Sequence, residues 1–144
     1  MKTPVVVRDI AALVARIALG VVFVAHGWQK LRTNGLDATT AGFEGMGIPA
    51  PQVSAYFATF VELIGGAALI LGVLTSVAAL LLVVDMVGAL VFVHLDKGVF
   101  VGEGGWELVV ALGAGALLLA AVGSGTYSVD RAFRRPKSRA RVSS

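Results

Sequence analysis

The sequence predicts an all-α integral membrane protein, a bundle of four transmembrane helices with both termini in the cytoplasm. Three observations predict it. First, 57% of the 144 residues are hydrophobic and 15% are charged, where soluble domains carry about 25% charged residues. Second, four apolar stretches, at about 10–29, 53–73, 76–96 and 106–124, each approach the roughly 20 residues a helix needs to cross the hydrocarbon core. Third, six of the twelve basic residues follow position 130. Beside long apolar segments, such a tail marks the cytoplasmic end of a membrane protein. The length is enough for one domain. The chain divides into an N-terminal cytoplasmic segment (1–9), a four-helix membrane domain (10–133) and a basic cytoplasmic tail (134–144).

Span one is preceded by Lys2 and Arg8, as a secretory signal would be. Arg16 interrupts its apolar run and no A-x-A site follows, so the span is expected to be retained. Its Arg16, Gly20, Phe23, Gly27 and Lys30 fall on one helical stripe, and the glycines on it admit a close neighbour. The polar 31–52 segment, with its glycines and prolines, is expected at the outer surface or as a short dipping helix. Pro49 and Pro51 suit the entry to span two.

Residues 53–94 hold few polar positions, and one helix of that length would be roughly 60 Å long, twice the bilayer core. The chain must fold back, and Gly72 with "LTS" (74–76) is the expected turn. Glu62, Gly66, Leu69 and Val73 share a face of span two, with Gly65 alongside. Asp85, Ala89, Phe92 and Asp96 share a face of span three, which puts His94 on its opposite side, toward another neighbour or a second copy of the chain. Glu107 opens span four, where a carboxylate suits the helix dipole. Gly72, like Gly20, Gly27, Gly65 and Gly66, is assigned to helix packing. Trp28 and Trp106 are expected as interfacial anchors.

Orientation follows from counting Lys and Arg. Eight lie on the side of the termini and three on the other, with Arg16 inside a span. Short-loop charge of this kind places both termini in the cytoplasm of a bacterial inner membrane.

Several ionisable residues lie within or at the rim of the spans. Each is costly in lipid, survives by facing inward and pairing, and marks a candidate functional site. Helix rise places Arg16 roughly 9 Å, Asp85 roughly 14 Å and Glu62 roughly 17 Å from the inner edge, and His26, His94 and Glu107 roughly 24–27 Å from it. Two stacked layers follow. The inner one joins Arg16 to Glu62 and Asp85, and Gly65 and Gly66 let the cationic helix approach. Two carboxylates against one cation leave a charge unbalanced in a low dielectric. The outer one holds His26, His94, Glu107 and Lys30. An Arg16–Glu62 pair also has a purely structural use, holding two helices together in lipid.

The chain has no cysteine, which excludes disulfides, thiolate metal sites and thiol redox chemistry. Two histidines do not make a protein-only zinc site, and no metal is expected. "GEGG" (102–105) lacks the strand and the Lys-Ser/Thr context of a nucleotide loop. Nucleic acid is not an expected partner.

The stretches "RIALGVVFVAHGWQKL" (16–31), "FVELIGGAALILG" (60–72) and "GGWELVVALGAGALLLAAVGSGTYSVD" (104–130) resemble the signature segments of the DoxX family, small four-helix bacterial membrane proteins. The likeness runs from about 10 to 133, and its specificity lies in the order and spacing of the pieces. Arg16, His26, Gly27, Lys30, Glu62, Gly65, Gly66 and Glu107 match the family pattern. The resemblance implies association with membrane redox or oxidative-stress complexes, among them thiosulfate:quinone oxidoreductase and quinol oxidases.

The expected function is that of an accessory subunit of such a complex rather than a stand-alone enzyme. A quinone or similar lipophilic molecule would bind at the Arg16/Glu62/Asp85 layer, with no intrinsic cofactor. Two alternatives stand beside it: an assembly subunit whose buried charges only fix helix packing, and a small transporter. Expected partners are the bilayer, redox-complex subunits, further copies of the chain, and anionic lipid at the basic tail, which is expected to lack order from Lys137 onward unless a partner holds it.

Overall fold

The computed structural model describes residues 3–134 and is helical throughout, with no strand among them. Helix α1 (Val5–Trp28) continues through a π turn at Gln29–Thr33, and α2 (Leu36–Gly45) follows as a short surface helix. Helices α3 (Pro51–Phe60) and α4 (Gly66–Leu71) form one rod joined by a π turn at Val61–Gly65. Helix α5 (Thr75–Ala89) runs through a third π turn at Leu90–His94, α6 spans Glu107–Val122 and α7 Val129–Phe133. The 31–52 segment is thus partly helical, and Pro51 stands in the first turn of α3.

Three rods are long and apolar enough to cross a membrane: Val5–Thr33, Pro51–Leu71 and Thr75–Lys97. The fourth apolar helix, α6, has 16 residues, about 24 Å at 1.5 Å per residue. The basic tail beyond 134 lies outside the described residues.

The four rods close a ring in which α1 packs on α4 and α6, and α5 on α4 and α6. Its core is Phe23, Leu69, Leu82, Met86, Leu112 and Ala116 with their neighbours, and Trp106 packs partly against it. The predicted stripe of α1 is its buried face: Arg16, Gly20, Phe23 and Gly27 are all buried. Outward-facing Val, Leu and Ile are exposed along every rod, as a lipid-facing surface requires.

Close approach fixes the register of α1 on the second rod. A Cβ on Gly20 would lie 2.6 Å from the Gly66 carbonyl oxygen, and one on Gly27 would lie 2.8 Å from the Leu63 nitrogen. Both obstacles are backbone, so neither can move aside. Gly65 faces Leu82 across the α4–α5 hairpin.

The hairpin turns at Gly72 (φ 71°) and Leu74 (φ 45°). A left-handed leucine is costly for an L-residue. It is held by Asp130, whose carboxylate accepts from the Leu74 N–H at 2.7 Å and the Thr75 N–H at 3.0 Å, while the Asp130 N–H donates to the Gly72 carbonyl at 2.9 Å. Asp130 therefore caps α5 from 55 residues away in sequence, satisfying donors the first turn leaves free. Burial alone would raise its pKa, but the Thr75 and Leu74 N–H groups and the nearby Arg134 hold it below the ordinary carboxylate value.

Three outcomes follow. Gly20→Ala lowers thermal stability in detergent by about 1–3 kcal/mol through overpacking. Gly88→Ala, where a Cβ meets nothing within 4 Å, leaves the melting point unchanged or slightly raised. Because the folded pKa of Asp130 is depressed, the unfolded chain binds its proton first as pH falls. Its contribution is present in full above about pH 4 and is lost as the pH drops through the lower folded value. Asp130→Asn removes that part of the acid dependence of the melting temperature.

Candidate functional site

The α1–α4 register decides which charges meet. Glu62, 4% exposed, accepts from the Lys30 ammonium at 2.6 Å, and this is the only ion pair within 4 Å among the described residues. Arg16 stands against Gly72 at the hairpin turn. Ten residues of helix, about 15 Å, separate that level from Glu62. The predicted Arg16–Glu62 pair is therefore absent, and the inner layer splits in two.

Arg16 belongs to the end of the bundle. Its guanidinium, 1% exposed, donates to the Ser124 carbonyl and, at 2.7 Å, to the Tyr127 carbonyl. A cation at these carbonyls complements the negative end of α6. Its role is to tie the chain leaving α6 back onto α1.

Asp85, 8% exposed, lies within side-chain reach of Glu62. The α4–α5 hairpin sets them level, one turn beyond the Gly65–Leu82 contact. Two ionised carboxylates have no donor between them, and Asp85 Oδ2 has no hydrogen-bond partner. A buried polar atom left unpaired is unusual and points to a ligand or to a functional role. The unbalanced charge expected from the sequence is present, with Lys30 in place of Arg16 as the cation.

A cavity of about 560 Å³ opens onto this cluster, lined by His26, Lys30, Glu62, Asp85 and His94. Its other walls are almost entirely apolar: Phe23, Phe57 and Phe92 from the rods, Phe43, Met46 and Ile48 from α2 and the segment after it. Five of the seven predicted ionisable residues thus line one chamber. His94 was expected on the far side of its helix from Asp85. The intervening π turn rotates the chain less per residue than an α turn, and the ring reaches the same cavity. Its Nδ1 lies 2.6 Å from the Gly104 carbonyl; the tautomer that donates there leaves Nε2 as an acceptor.

The three π turns carry Lys30, Glu62 and His94 respectively. Such turns arise frequently at functional sites, and no sequence period announces them.

Glu107 is outside the cavity. Its Oε1 accepts from the Val101 N–H at 2.9 Å, closing the 98–107 loop at the start of α6. Sequence reasoning gave no role to Asp9, Asp130 or Thr39. Thr39 donates to the Lys30 carbonyl at 3.0 Å, holding α2 over the cavity, and the terminal Asp of "GSGTYSVD" was the one available signal for Asp130. Among the described residues no three His, Cys, Asp or Glu side chains gather as a metal site.

Lys30→Met leaves the Glu62 carboxylate buried and unpaired, at a cost of about 3–5 kcal/mol. The double variant Lys30→Met/Glu62→Gln recovers part of it, read as a coupling in thermal unfolding.

Comparison with known proteins agrees with this architecture. The DoxX family model matches residues 11–95. The "Uncharacterized membrane protein Rv3486" of Mycobacterium tuberculosis is 37% identical over 127 residues, covering 81% of this chain and 77% of that protein. The "Inner membrane protein YqjF" of Escherichia coli is 31% identical over 129 residues, covering 89% and 95%. The "Putative oxidoreductase CatD" of Bacillus subtilis is 29% identical over 135 residues, covering 94% and 96%. No solved structure matches. With its apolar rods, inward-turned charges and these relatives, the chain belongs to the DoxX family of multi-pass membrane proteins.

Proposed function

We propose that the 560 Å³ cavity binds a lipophilic small molecule with a polar oxygen-bearing head, of which a quinone is the leading type, and that the chain serves a membrane redox complex as its accessory subunit. The observation that carries this reading is the unpartnered Asp85 Oδ2 at the polar end of an apolar chamber, which accepts from the hydroxyl of a reduced quinone when ionised and donates to a quinone carbonyl when protonated. The volume falls within the roughly 300–1,000 Å³ of small-molecule sites. The phenylalanine walls suit a ring, the Lys30 ammonium and the His26 imidazole offer donors to a carbonyl, and His94 Nε2 offers an acceptor on a path for protons. The oxidoreductase name of one relative supports the redox assignment.

A second reading, an assembly subunit, is favoured by Arg16, whose charge is spent on carbonyls at the end of α6. The two readings divide the molecule by end.

We place four spans in the inner membrane with both termini cytoplasmic. The 16-residue α6 then crosses together with its flanking loops, and the exposed Trp28, with Arg32 over its ring at 5.9 Å, sits at the outer interface.

Asp85→Asn weakens binding of a short-chain quinone, followed by quenching of tryptophan fluorescence, by about tenfold while the melting temperature stays near wild type. Unchanged affinity with lowered stability would favour the assembly reading instead. Because the chain has no cysteine, a single cysteine at Thr3 reports topology directly. An impermeant maleimide labels it only after the cells are opened if the terminus is cytoplasmic; labelling of intact cells reverses the orientation.

A further inference from the structure

A second cavity, of about 200 Å³, lies at the opposite end of the bundle, between the chain leaving α6 and α7, lined by Asp9, Arg131, Arg134 and the 123–126 loop. We propose that it binds a phosphate-bearing anion, and that in the membrane this anion is the head group of an anionic phospholipid.

The charges support an anion. Asp9 is committed: its carboxylate accepts from the Thr126 N–H at 3.2 Å and from the Thr126 hydroxyl. Asp130 is likewise committed to the start of α5. Arg131 and Arg134 form no ion pair among the described residues, and both are exposed at the cavity. Two guanidiniums line the pocket against the single Asp9 carboxylate, with Asp130 near Arg134 but turned to the α5 N–H groups, and guanidinium geometry suits phosphate oxygens. The loop leaves room, since Gly123 (φ 83°) carries no side chain and a Cβ there would meet nothing within 4 Å.

The platform is fixed. Ser128 caps α7 by accepting from the Arg131 N–H at 3.2 Å, and Asp130 fastens α7 to the hairpin turn.

The position favours lipid over free phosphate. The cavity begins where the apolar α6 ends at Val122, the level at which acyl chains give way to head groups. Phe133, on the same short helix as Arg131, is 82% exposed, and Tyr127 is also exposed. Exposed aromatics flanking arginines at a span end are the pattern of interfacial anchoring. At 200 Å³ the cavity is below the roughly 300–1,000 Å³ of sites for larger ligands, a size for a head group rather than a whole lipid.

The test uses the full chain in neutral detergent, with phosphatidylglycerol, phosphatidylcholine and inorganic phosphate added in separate titrations of the melting temperature. Phosphatidylglycerol is expected to raise it, and phosphatidylcholine far less. R131Q/R134Q weakens the apparent affinity for phosphatidylglycerol about tenfold or more. Neutralising Arg135, Lys137, Arg139 and Arg141 instead leaves most of the effect in place, which separates the pocket from the basic tail. Protection by inorganic phosphate alone, also lost in R131Q/R134Q, keeps the anion site and assigns it a soluble source. Equal protection by both lipids, or a lipid effect that survives R131Q/R134Q and vanishes with the tail charges, overturns the proposal.

Discussion

The close approach of α1 to the second rod governs the rest of the molecule. Gly20 lies against Gly66, and Gly27 against Leu63 and Thr59. Lipid supplies little hydrophobic drive between helices, so dispersion contact and small residues hold them together. Once backbone meets backbone the two rods cannot slide, and every charge on α1 has its height assigned. Lys30 is delivered to Glu62, and Arg16 to the hairpin turn.

The buried charges then sort into two clusters with different chemistry. At one end the partners are backbone: Arg16 on the carbonyls after α6, Asp130 on the N–H groups opening α5. Each of these two charges answers a helix terminus of the opposite sign, so Arg16 and Asp130 brace this end without a ligand between them. At the other end the partners are side chains, and the account does not close. One ammonium stands beside two carboxyls, and Asp85 Oδ2 receives no hydrogen bond from an N–H or hydroxyl donor among the described residues. That imbalance, set in an apolar chamber, separates a site from a brace.

The π turns contribute to that difference. Each widens a helix by one residue where a polar side chain enters the cavity, at Lys30, Glu62 and His94. A regular helix would carry His94 away from Asp85, and the cavity would lose one of its two imidazoles. The covering segment from α2 to α3 and the 98–107 loop are fastened by Thr39, His94 and Glu107, residues whose hydrogen bonds shape the chamber's rim.

The sequence by itself determined the class of the molecule: helical rods, membrane residence, the turn at Gly72, the buried stripe of α1 and a short list of inward charges. Composition and helical period carry this information because lipid forces every backbone group into a helix and every charge inward. The family was legible too, in the spacing of "HGWQKL" and "ELIGG". Only the tertiary structure decided the pairing. Helix rise gives depth along one rod to within a few residues but leaves the register between neighbouring rods open, and that register decides whether Arg16 or Lys30, about four turns apart on α1, is the partner of Glu62. The register rests on backbone contact at glycines, and the rotation of His94 on a π turn. Neither leaves a periodic trace in the chain. Asp130 reaches a hairpin far from it in sequence for the same reason: closing the bundle brings together residues that no local pattern relates.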